Sequence, residues 1–159
     1  MGRAVLFTGL FVIIAAVSAF AQAAIPADTV ITLRRGACEM RCAVYDLSIQ
    51  ADGSVVYDGR YYVRRTGRVK ARVARKGVRR LIDEFQKIGF FSLKDEYTAS
   101  PDDCVSLLEE APRATISIVM GKRAKTIVHN HRCVGKVSSE LTRLEDAIDA
   151  VAKSVRWIK

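Results

Sequence analysis

Val44-Tyr45-Asp46-Leu47-Ser48-Ile49-Gln50-Ala51-Asp52-Gly53-Ser54-Val55-Val56-Tyr57-Asp58-Gly59 is the stretch on which the fold turns. Its first seven residues place Tyr45, Leu47 and Ile49 on one side and Asp46, Ser48 and Gln50 on the other, the period of two of a half-buried strand. Asp52-Gly53 supplies the positive-φ pair that tight hairpins prefer. Val55-Val56-Tyr57 should therefore return antiparallel and end at a second such pair, Asp58-Gly59. Working outward, Thr29 to Arg35 reads as a strand before this hairpin. Tyr61 to Val73 reads as one after it, bent at Thr66-Gly67, so four strands form an antiparallel meander.

From Arg75 the period changes. Val78, Leu81, Ile82, Phe85 and Ile88 recur at helical spacing, and Gly89 stands where helices commonly close in a left-handed residue. Phe90 to Leu93 should bring the chain back to the core, and Lys94 to Pro112 shows no period. Thr115 to Val119 and Ala124 to His129 form a second hairpin about Gly121-Lys122. Ser138 or Ser139 is expected to cap a second helix with the apolar stripe Leu141, Leu144, Ile148, Val151 and Val155. The class is α+β: an antiparallel sheet of about six strands, in the order ββββαββα, with two helices packed on one face.

The 159 residues are enough for one domain, placed at 29–159 after a short segment at 22–28. Half are apolar and 27% are charged, which excludes collagen-like, low-complexity and wholly disordered chains. Ahead of the domain, Arg3 precedes an uncharged run from Ala4 to Phe20, and Ala19-Phe20-Ala21 ends it in a small-x-small pattern. This reads as a signal peptide, residues 1–21, removed on export to the periplasm or beyond; Ala21-Gln22-Ala23 offers a second cleavage point. The competing reading, an uncleaved anchor, would need a spanning helix at the short limit of about 17 residues. After cleavage no transmembrane segment is expected.

The string Leu33-Arg34-Arg35-Gly36-Ala37-Cys38-Glu39-Met40-Arg41-Cys42-Ala43-Val44-Tyr45, followed by the two Asp-Gly pairs, resembles a bacterial exported domain of unknown function, the family numbered 6438. The likeness continues through Phe90-Phe91-Ser92-Leu93, Gly121-Lys122, Val128-His129, Leu144-Glu145 and Trp157-Ile158. The link Glu39-Met40-Arg41 and the following Ala43 depart from the Gly-containing link and Pro usual in that family. The resemblance implies fold and compartment. It carries no catalytic residues.

Cys38, Cys42, Cys104 and Cys133 are an even set in a disulfide-permissive compartment, with three possible pairings. Cys104 and Cys133 flank the two ends of the second hairpin, which favours their pairing and leaves Cys38 for Cys42. An alternative reading is a metal-binding or thiol-redox protein, with Cys38, Met40 and Cys42 joining His129, His131 and Cys133 around a soft metal. His129 shares a strand face with Lys125 and Ile127, so a surface or rim position is expected for it.

The excess charge is concentrated. Lys and Arg number 26 against 17 Asp and Glu, a formal net charge of +9. Ten of the 26 lie between residues 60 and 80: Arg60, Arg64, Arg65, Arg68, Lys70, Arg72, Arg75, Lys76, Arg79 and Arg80, beside Tyr61 and Tyr62. Arg75 and Lys76 fall in the first turn of a helix, where the macrodipole disfavours cations; Ala74 is a poor cap and Gly77 weakens the turn. An anion would relieve that conflict. The bland reading is a solvated face, neutralised by Asp95, Glu96, Asp102, Asp103, Glu109 and Glu110. No nucleophile elbow, paired-His zinc helix, phosphate-cradling loop or dinucleotide fingerprint occurs. The expectation is a non-enzymatic binding module without a cofactor, its partner an anionic envelope component or an acidic protein rather than a specific nucleic acid.

Overall fold

A computed structural model describes residues 24–39, 41–98 and 111–159; residues 1–23, on which the expected signal peptide falls, Met40 and the stretch 99–110, with Cys104, Asp102, Asp103, Glu109 and Glu110, lie outside it. The strands are β1 (Val30–Arg35), β2 (Val44–Gln50), β3 (Ser54–Tyr61), β4 (Gly67–Arg72), β5 (Glu96–Tyr97), β6 (Arg113–Met120) and β7 (Arg123–Asn130). The helices are α1 (Arg75–Lys87), α2 (Lys136–Ala152) and the short α3 (Val155–Ile158). One sheet holds all seven strands in the order β4-β3-β2-β1-β6-β7-β5. Every pairing is antiparallel except that of β5 with β7. The class is α+β, as the alternation predicted.

Alternation also decides which face is covered. Leu33 stands opposite Leu47 on one side and Ile116 on the other, while Thr32 stands between Ser48 and Ser117. Ile31, Leu33, Leu47, Ile49, Val55 and Ile116 are therefore sealed, and Val78, Leu81 and Phe85 of α1 and Leu141, Leu144 and Ile148 of α2 complete the same core. The opposite face carries Thr32, Ser48 and Ser117, and among the described residues no helix lies over it. Among the described residues, no helix is long and apolar enough to cross a membrane.

The β2–β3 turn needs its glycine twice over. Gly53 has φ +86°, and a Cβ there would lie 2.2 Å from the carbonyl oxygen of Val73, whose own N–H donates to Gly53 O. Gly53→Ala is expected to destabilise the fold by more than about 1 kcal/mol. A urea titration showing no loss would remove this account of the turn.

Five local expectations change in the folded chain. β3 does not end at Asp58-Gly59: the pair lies within it, opposite Arg68 and Gly67 of β4, and the strand runs on to Tyr61. Tyr61 to Val73 is not one bent strand: residues 62–66 leave the sheet because Arg64 and Arg65 donate their N–H groups to Ile158 O and Trp157 O. α2 begins at Lys136, with Gly135 at its cap, rather than at Ser138 or Ser139. Ser138 instead turns inward, and Ser139 Oγ donates to Gly135 O. The chain breaks after α2 at Lys153, which has φ 56°. Val155 is consequently exposed, and Trp157 is the residue that reaches the core, its ring 4.8 Å from that of Tyr57. Finally, the stretch read as unpatterned contributes the two-residue β5.

Candidate functional site

The basic run does not stay together once folded. Arg60 and Arg68 line a shallow hollow of about 490 Å³ on the uncovered sheet face, together with Arg34, Asp46 and Asp58. Arg34 and Arg60 both bond Asp46 there, Arg34 Nε at 2.7 Å, so the charges of that hollow are largely balanced. Arg72 reaches Asp52 at 2.8 Å. Arg64, Arg65 and Lys70 are exposed, as are Tyr61 and Tyr62. Among the described residues, the acids that pair with this part of the run are Asp46 and Asp52 on the hairpins. Asp95, expected to serve the basic run, bonds Lys125 instead, at 2.5 Å.

The other half of the run converges. A groove of about 640 Å³ runs between the end of β4, the first half of α1 and the second half of α2. Arg72, Lys76 and Arg80 enter it from one wall, Arg143 and Lys153 from the other, and Glu84 is its one carboxylate among the described residues. α1 opens onto this region with no side-chain cap on Ala74 and no acid in its first turn. Its leading N–H groups therefore add to the positive potential. Arg75 and Arg79 turn to an adjoining hollow with Ile25 and Asp83, which Lys76 and Arg80 also border.

A second constellation lies under the helices. Glu145 interrupts the apolar stripe of α2 and is fully buried, and three donors converge on its carboxylate. Arg35 Nη1 lies 2.5 Å from Oε2, His131 Nε2 2.6 Å from Oε2, and His129 Nδ1 2.8 Å from Oε1. Burial alone would push the Glu145 carboxyl up; the hydrogen bonds from His129 and His131 and the charge of Arg35 outweigh it and bring the pKa down to about 2. One helical turn on, Asp149 accepts from Arg35 Nη2 at 2.9 Å, Tyr45 Oη at 2.7 Å and Ser154 Oγ at 2.6 Å. Burial and the nearby Asp149 together push the Tyr45 hydroxyl well above the ordinary tyrosine range. For Arg35, burial works against the charge, but Glu145 and Asp149 prevail and raise its pKa further.

The family model for a domain of unknown function, DUF6438, matches residues 29–152. The chain belongs to that family. It matches no curated protein. In this DUF6438 domain the matched span runs from the start of β1 through the end of α2 and holds most of both constellations; Lys153 of the groove and Ser154 of the Asp149 cluster lie just beyond it.

His129 is a correction to the sequence reading. It shares a face with Ile127 as expected, but that face is the covered one, and His129 is fully buried rather than at a rim. Its Nε2 lies 2.6 Å from Ser138 Oγ, which in turn bonds the carbonyl of Cys133. Ser138, His129 and Glu145 thus follow in the order used for acyl transfer. With Ser138 at 3% exposure and the other two at 0%, no substrate carbonyl can reach Oγ, and the relay is a buried brace between β7 and α2.

The soft-metal set does not assemble as read. Cys38 and Cys42 are joined to each other, with Cα atoms 5.7 Å apart, and Cys133 is also disulfide-bonded, so none of the three offers a thiolate. What does gather is His129, His131 and Glu145. Ligand atoms on a tetrahedral zinc stand about 3.3 Å apart. The separations of 2.6 and 2.8 Å are hydrogen-bond lengths, and Arg35 already supplies the cation, its Nη1 3.1 Å from His131 Nε2. From sequence Ser138 stood out only as a helix cap and Tyr45 only as a residue of an apolar strand face, and Arg35, Glu145, Asp149, Arg143 and Lys153 were given no functional part. The available signal was Glu145 and Asp149, one turn apart and flanking Ile148 in an otherwise apolar stripe.

Proposed function

We propose that this DUF6438 domain is an exported, non-enzymatic binding module whose groove between β4, α1 and α2 takes an anionic component of the envelope. One observation carries the reading: Lys76, Arg80, Arg143 and Lys153, from α1 and from α2 and its end, border one groove in which Glu84 is the single carboxylate among the described residues, while Arg72 at its margin is matched by Asp52. A merely solvated face would have its charges spread or matched, as they are in the hollow around Asp46. The leader, the Cys38–Cys42 crosslink and the bonded Cys133 support an oxidising compartment.

Binding to phosphatidylglycerol vesicles, against phosphatidylcholine vesicles, tests the proposal. Association is expected with the anionic vesicles alone, weakening at least about tenfold between about 0.05 and 0.3 M salt. Arg80→Glu with Arg143→Glu should abolish it, whereas Arg64→Glu with Arg68→Glu should weaken it far less. Affinity indifferent to salt, or equal losses for both pairs of substitutions, would remove the groove from the account.

A further inference from the structure

The groove has a floor as well as a rim. Val73, Ala147 and Val151 are half-buried and Ala74 and Ala150 exposed, so aliphatic surface lies open between the two rows of cations. Gly77 helps to make this shape, because a Cβ there would lie 3.2 Å from Val151 Cγ1, and its absence lets the first turns of α1 come close to α2. A small inorganic anion would use the rim and leave the floor wet. A purely apolar ligand would cover the floor while taking water from cations that it cannot pair, which is costly. The volume of about 640 Å³ is that of a small-ligand site.

We propose that the groove binds a single-chain amphiphile with an anionic headgroup, carboxylate or phosphate. Arg80 and Arg143, with their neighbours on the rim, hold the headgroup, and the aliphatic floor covers the first methylenes of the chain. This rests on the anion-groove reading above and adds the chemical class of the ligand. Each methylene covered is worth about a fourfold gain in affinity, so burying only a few separates the amphiphile clearly from its headgroup alone.

Calorimetric titration of the purified protein with three probes decides the matter: dodecyl phosphate below its micellar concentration, inorganic phosphate, and the uncharged dodecyl maltoside. Dodecyl phosphate is expected to bind at least about tenfold more tightly than either of the others. Ala150→Phe, at an exposed position on the floor, should bring dodecyl phosphate down to the affinity of inorganic phosphate and leave the latter unchanged. Circular dichroism establishes that the variant is folded. Equal binding of the two phosphates overturns the amphiphile and leaves the anion groove standing. Dodecyl maltoside binding as tightly as dodecyl phosphate overturns the headgroup assignment. Failure of both phosphates overturns the amphiphile and the anion groove together. An acidic amphipathic peptide that displaces dodecyl phosphate and binds more tightly assigns the floor to a protein partner instead, and also overturns the proposal.

Discussion

Arg35→Met is expected to lower the unfolding free energy by about 3–5 kcal/mol, read from urea denaturation at neutral pH. Methionine preserves most of the aliphatic stem, so the loss measures the guanidinium. That group touches Glu145 at 2.5 Å and Asp149 at 2.9 Å, and only 16% of the side chain is exposed. Removing it takes the permanent cation from two carboxylates that stay inside, leaving Glu145 to His129 and His131 and Asp149 to the hydroxyls of Tyr45 and Ser154, which is the costly way to break an internal ion pair. Arg34, the preceding residue, provides the contrast. It also pairs with a carboxylate, Asp46 at 2.7 Å, but 67% of its side chain is exposed. Arg34→Met should cost no more than about 1 kcal/mol. Similar losses for the two substitutions would show that the buried network contributes nothing special. Pairing Arg35→Met with Glu145→Gln should cost less than the sum of the two single changes, because the glutamine no longer needs a cation.

The same network predicts an acid limb to the stability curve. The Glu145 carboxyl titrates at about 2 in the folded protein against an ordinary 4.5. Protonation therefore favours the unfolded chain. The carboxylate contributes about 3 kcal/mol, complete above pH 4.5 and lost progressively as pH falls through about 2. Urea midpoints measured across that window should fall steeply for the natural protein. Glu145→Gln, already weaker at neutral pH, should show a distinctly flatter decline. Parallel acid limbs for the two proteins would place the titrating groups elsewhere.

Most of the sheet was legible because alternation in β2 and β3 and the Asp52-Gly53 turn leave only one economical arrangement; Asp58-Gly59 has the composition of a turn but is held inside β3 by pairing on both sides. Helix α1 was legible because its stripe is long and Gly89 closes it in the left-handed conformation, with φ 65°. His129 shows where such reading stops. Alternation groups it correctly with Ile127, but it cannot say that α2 will lay Glu145 against Nδ1 and so turn a polar strand residue into a core one. The inverse clue was present in α2, since an acid within an apolar stripe must find a buried donor. No local pattern names Arg35, 110 positions earlier, as that donor. The groove has the same history. A run of cations drew attention to residues 60–80, yet folding sends Arg60 and Arg68 to a charge-balanced hollow and recruits Arg143 and Lys153 from the far end of the chain.

β4 is the outermost strand on its side of the sheet, and this gives Arg68, Lys70 and Arg72 a task that does not depend on any ligand. Among the described residues no strand neighbours its outer margin, whose main-chain amides and carbonyls form a template onto which another copy could zip. A newcomer aligned there would bring its own guanidinium and ammonium groups against these, and the mutual repulsion discourages stacking of protomers edge to edge. Of the three only Arg72 also borders the groove, so removing charge at Arg68 and Lys70 would test the edge while leaving ligand capture in place.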